Sequence, residues 1–238
     1  GGTHLYLWRN PWDQWWSYKV SPYFGAVSQL IMCASGAPPE VDALRRALGI
    51  VPCPYPDIGC AITHFLRRPL GSGANYQLFY LLWIHALREG TAHADLLLNI
   101  DRLGDCPAYR QEIIASLADA GVRDIDLADC RVPQGRYSRE DHTFFARQEA
   151  AVHAVLLQHG WQAREIDALQ TLRARFRPGA WPPEGVFEDD PAACAEQRLR
   201  EVGMQAEAQA AESVGAPWGR LQDWSFHHLK GLWSLLRR

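Results

Sequence analysis

The sequence predicts an α/β domain with a mainly parallel sheet over residues 1–177, and three observations carry that expectation. Two apolar runs of strand length, Thr3 to Trp8 (THLYLW) and Ala94 to Ile100 (ADLLLNI), lie far apart with helical patterns between them. Strand-like and helical segments alternate along the chain, the arrangement that crossover connections in a parallel sheet require. The 238 residues are 47% hydrophobic, and 24 basic against 27 acidic side chains leave a net charge of -3, so the chain can enclose a core. The same balance excludes a disordered tail and a broad phosphate-backbone binder, so no nucleic-acid partner is expected. Leu78 to Leu87 is the longest apolar run, about half of the ~20 residues a bilayer crossing needs, and no membrane span is expected.

The elements follow in order. Thr3 to Trp8 runs into Arg9-Asn10-Pro11, where Asn10 can cap a helix with Pro11 at its first position. That helix is expected to continue toward Cys33 with a break at Ser21-Pro22. Pro38-Pro39-Glu40 opens a second helix through Leu48. Residues 49–74 hold Pro52, Pro54, Pro56, Pro69 and four glycines, and are expected to be one long connection. Asn75 to Glu89 predicts a strongly apolar helix closed by Gly90, and Ala94 to Ile100 a buried strand. Tyr109, Ile113, Ile114 and Leu117 share one face of a helix over Pro107 to Ala120, ended by Gly121. Ser138 caps the next helix with Asp141 in the box position, and that helix runs to Gly160. Residues 178–191 (PGAWPPEGVFEDDP) form a Pro/Gly-rich acidic linker, and 192–238 a helical extension able to dock on a neighbouring domain.

The sharpest local signal is an Arg at the carboxyl end of a strand with a hydroxyl eight residues on. Parallel sheets bind ligands at that end, and a guanidinium with a nearby hydroxyl suits a phosphate. The segment LYLWRNPWDQWWSY resembles the part of sulfotransferases that binds the 3'-phosphate of 3'-phosphoadenosine 5'-phosphosulfate, where Arg, then Asn or Asp, then Pro ends a strand and Ser follows eight positions after the Arg. The resemblance implies that Arg9 and Ser17 hold that phosphate, while Asp13 and the tryptophans pack the helix start. DLLLNIDRLGDCPAYRQEIIASLADAGV is similar to a later strand and helix of the same family, with Asn99-Ile100-Asp101 where Tyr-Glu-Asp is common. A late basic loop reaching the same phosphate would place Arg136, in Gln134 to Arg139, as a third contact.

The implied fold is a three-layer P-loop NTPase-like parallel sheet flanked by helices, and the implied activity is sulfuryl transfer to a hydroxyl or amine of a small-molecule or carbohydrate acceptor, without a metal. The family's phosphosulfate loop and its base have no counterpart in these residues. With Gly1-Gly2-Thr3 at the start and methionine only at Met32 and Met204, the chain is expected to be a fragment, bacterial and cytoplasmic, whose missing half precedes Gly1. Six scattered cysteines suit free thiols. Cys53, Cys60 and His64 lack a fourth ligand for zinc. Two other readings stay open: a different P-loop-type transferase or kinase fragment, and a non-catalytic sulfotransferase-like module for binding or interaction.

Overall fold

The computed structural model describes residues 2–19, 22–130, 132 and 137–175. Arg136, the linker at 178–191 and the extension at 192–238 lie outside them. The described residues form an α/β unit that is mostly helical. Strand β1 (Leu5–Trp8) pairs in parallel with β2 (Leu96–Asn99), Leu5 opposite Leu96 and Trp8 opposite Asn99. Between them lie α1 (Pro11–Lys19), α2 (Pro22–Met32), α3 (Pro39–Ala47), α4 (Ile58–Leu66) and α5 (Ser72–His93). After β2 come α6 (Ile100–Asp105), α7 (Pro107–Asp119), α8 (Arg139–Gln158) and α9 (Ala163–Arg175).

Several local signals act as expected. α1 is described to Lys19 and α2 from Pro22, and the break expected at Ser21-Pro22 falls outside the described residues. Gly121 takes φ +85 just past α7, the left-handed turn that glycine makes without a Cβ clash. Ser138 and Asp141 form a reciprocal capping box at the start of α8: the Asp141 N–H donates to the Ser138 hydroxyl at 3.0 Å, and the Ser138 N–H donates to the Asp141 carboxylate at 2.8 Å.

Three expectations are corrected. The sheet is narrower than a three-layer fold needs: among the described residues it is a single parallel pair, because only the runs at Leu5–Trp8 and Leu96–Asn99 take strand form and every other described element is helical. The stretch 49–74 is not one long connection. Asp57 caps α4 by accepting from the Cys60 N–H at 2.8 Å, and Ile58, Ala61, Ile62 and Phe65 then follow helical spacing. The prolines bracket that helix, with Pro56 before it and Pro69 after. Gly90 does not close α5, which runs on to His93. A Cβ at Gly90 would sit 2.3 Å from the Tyr6 ring, so the glycine is a notch in the helix that receives the first strand.

Two apolar clusters result. The larger is aromatic, with Trp12, Trp15, Tyr76, Tyr80 and Phe145 among its buried members, and gathers α1, α5 and α8. Trp12 stacks on Phe145 with ring centroids 4.6 Å apart, and Trp15 meets Tyr76 edge-on at 5.2 Å. The smaller joins Leu98 of β2 to Leu103, Tyr109, Ile113 and Leu117 of α6 and α7. Tyr6 and Trp8 point inward from β1, whereas Leu5 and Leu7 on its other face are 42% and 56% exposed. No helix among the described residues is long and apolar enough to cross a membrane.

Candidate functional site at the carboxyl ends of the paired strands

The parallel register brings Trp8 beside Asn99, so the residues that follow each strand meet at one end of the sheet. There Arg9 donates from Nε to Asp101 Oδ1 at 2.8 Å, and the Asn10 N–H donates to Asp101 Oδ2 at 2.8 Å. Asp101 is wholly buried, and the Arg9 side chain is 13% exposed. A buried carboxylate needs a countercharge and donors for both oxygens, and the Arg-Asn turn supplies them from the neighbouring strand. The Trp83 indole N–H of α5 donates to the Arg9 carbonyl at 3.1 Å and ties the turn to the long helix.

Both connections leave the sheet end through helix caps. Asn10 begins α1: its side-chain oxygen accepts from the Trp12 N–H at 3.4 Å, and its amide donates to Asp13 at 3.3 Å. Asn99 begins α6 by accepting from the Arg102 N–H at 2.9 Å. Asp13 is buried and accepts from the Tyr137 hydroxyl at 2.8 Å, so it packs the start of α1 by hydrogen bonding as well as volume.

The three sequence-predicted contacts fare differently. Arg9 stands at the strand end, with its guanidinium plane fixed by Asp101. Ser17 is exposed two turns into α1, and its hydroxyl donates back to the Asp13 carbonyl at 3.3 Å. Arg136 falls outside the described residues.

A second polar centre was not legible in advance. Glu149, buried on α8, accepts from the Trp12 indole and the Tyr76 hydroxyl on Oε1, and from Arg173 of α9 on Oε2, each at 2.7 Å. Burial, and then the neighbouring Glu149 charge, push the Tyr76 phenol well above its ordinary value, so it remains a donor. The Tyr80 hydroxyl next to it receives a hydrogen bond from Gln170 at 2.6 Å and lies 2.9 Å from His153 Nε2. The one available signal was a charge inside an apolar stripe: Phe145, Glu149, Val152 and Leu156 share the buried face of α8. Chemically, Glu149 has every oxygen occupied by helix-borne donors and clasps three helices, whereas the Arg9 end stands where parallel strands present ligand-binding groups.

Comparison with known proteins leaves the geometry to speak alone: no family model, no curated protein and no solved structure matches this chain.

Proposed function

We propose that this chain carries the 3'-phosphate-binding half of a sulfotransferase, which moves a sulfuryl group from 3'-phosphoadenosine 5'-phosphosulfate to a hydroxyl or amine acceptor. The single observation behind the reading is the strand-end turn, in which an Arg held in one orientation by a buried Asp opens a helix bearing Ser17. A guanidinium whose Nε–H is taken by Asp101 keeps a fixed plane, and pre-set orientation lowers the entropic cost of gripping a phosphate. The donor types fit such a group: a guanidinium and a hydroxyl carry N–H and O–H donors suited to phosphate oxygens. Asp101 sets a limit, since its charge offsets that of Arg9 and favours binding by geometry over binding by net field.

In the proposed reaction the acceptor oxygen or nitrogen attacks sulfur in line, the bond from sulfur to the phosphate oxygen breaks, and adenosine 3',5'-bisphosphate leaves. Within this chain Arg9 and Ser17 hold the nucleotide still during that displacement and so contribute positioning. The phosphosulfate loop and the base of this reaction have no counterpart among these residues. The fold implied is the three-layer P-loop NTPase-like one, of which the β1 and β2 pair with its flanking helices would be a part.

The same ion pair favours a second reading. A buried Arg9 and Asp101 joining the two strands is also what a non-catalytic module would keep for architecture alone. Calorimetric titration with adenosine 3',5'-bisphosphate and with adenosine 5'-monophosphate separates the two. The transferase reading expects the bisphosphate to bind at least tenfold more tightly, and Ser17→Ala to shrink that preference. Equal affinity, or no binding of either by the folded protein, counts for the architectural reading.

A further inference from the structure

A cavity of about 190 Å³ opens between the end of α1, α2, α4 and the start of α5. It is separate from the strand-end turn, since α1 spans about 12 Å from Pro11 to Lys19 at ~1.5 Å per residue. Its lining includes the apolar Phe65, Leu66 and Leu70 together with Lys19 and the buried Gln29. The Lys19 ammonium lies 3.0 Å from the Ser72 hydroxyl, and 4.7 Å and 5.3 Å from the ring centres of Trp15 and Trp16. Among the described residues no carboxylate pairs with it. Its partial burial lowers its pKa, the mark of a cation that has lost water without gaining a countercharge. Tyr18 lines the same cavity, and its buried hydroxyl makes no hydrogen bond of ordinary geometry among the described residues, although Ser28 is beside it.

Size and polarity narrow the occupant. A dry cavity of ~150 Å³ accepts benzene, whereas sites for drug-sized ligands start near ~300 Å³. A single ring with a small head group therefore fills this space. The head group that gains most beside a half-buried ammonium resting on two indoles is an anion, because the ion pair restores what desolvation removed. We propose that this cavity binds a single-ring aromatic carboxylate, its ring against Phe65, Leu66 and Leu70 and its carboxylate on the Lys19 ammonium. The site does not depend on the nucleotide reading of Arg9, and adenosine phosphates play no part in its test.

The test is calorimetry on the full chain with benzoate, benzyl alcohol and acetate. Benzoate is expected to bind, with the alcohol, which lacks the charge, and acetate, which lacks the ring, each at least tenfold weaker. Lys19→Met is expected to weaken benzoate at least tenfold and to leave benzyl alcohol within twofold. Failure of benzoate to bind the unaltered protein overturns the proposal, as does a folded Lys19→Met protein with undiminished benzoate affinity. Should that variant not fold, nuclear Overhauser contacts in the unaltered protein decide. Benzoate ring protons close to the Leu66 and Leu70 methyls uphold the site, and bound benzoate without them overturns it.

Discussion

Asp101 and Glu149 are both buried carboxylates facing an arginine, yet they are supplied from different distances and hold different things together. Asp101 takes its donors from two consecutive residues, Arg9 and Asn10, so one turn satisfies it. Glu149 takes its donors from three separate helices through Trp12, Tyr76 and Arg173. A carboxylate served by a single turn has its geometry set by the pairing of β1 with β2 alone, which suits a ligand site at the strand ends. One served by three helices exists only when all three are docked, and so it reports on the fold as a whole.

The largest effect should come from breaking the second centre. Glu149→Ala leaves Arg173 buried without its partner and removes the acceptor of Trp12 and Tyr76. A loss of about 3–5 kcal/mol is expected, read from urea unfolding. Asp101→Asn sharpens the contrast, because the amide oxygen can still accept from one donor while the charge is lost. About 2 kcal/mol is expected, with amide exchange rising in β1 and β2 before the helices. A larger loss from Asp101→Asn than from Glu149→Ala would reverse the assignment of roles. Ser138→Ala removes one arm of the capping box at the start of α8 and should cost about 1 kcal/mol, visible as a lowered Tm with the Glu149 hub intact.

The mildest test is pH. Burial lowers the pKa of His153, beside Tyr80, below its ordinary value, and does the same for His85, where Glu40 lies 3.3 Å away. The unfolded chain then binds protons that the folded chain refuses, so stability is full above about pH 6.5 and declines as pH falls from there toward the lower folded values. Hydrogen exchange at pH 5.5 against pH 7.5 should show α8 loosening, and His153→Phe should flatten that dependence.

Much of the local structure was legible because it is written in neighbouring residues. The Ser138 and Asp141 box, the Asn10 cap and the turn at Gly121 each need only a few positions of chain. The strand-end Arg was legible for the same reason, whereas its partner Asp101 lies 92 residues away, and that distance hid the pairing. The Glu149 hub was hidden more deeply. Nothing in α8 says that a Glu inside an apolar stripe will meet an indole, a phenol and a guanidinium from three other helices. Gly90 was misread as a helix end because the residue that requires it, Tyr6, lies on another element. The helix over Ile58–Leu66 was masked by the prolines around it, whose count suggested a loop although their positions only frame the helix.

The notch at Gly90 also bears on the order in which the protein comes into being. β1 leaves the ribosome before its partners, for Asp95 and Asp101, which bond to His4 and Arg9, follow 91 and 92 residues later. At about 5–20 residues per second the first strand waits roughly 5–20 s for its partner. Throughout that interval Leu5, Tyr6, Leu7 and Trp8 are open to strangers. The helix carrying Gly90 is completed just before β2, so the notch that receives Tyr6 is synthesised ahead of the strand that pairs with β1. Filling the notch with Gly90→Ala puts a Cβ where the Tyr6 ring lies, so β1 must shift, and soluble yield during synthesis is expected to fall along with the stability of the finished protein.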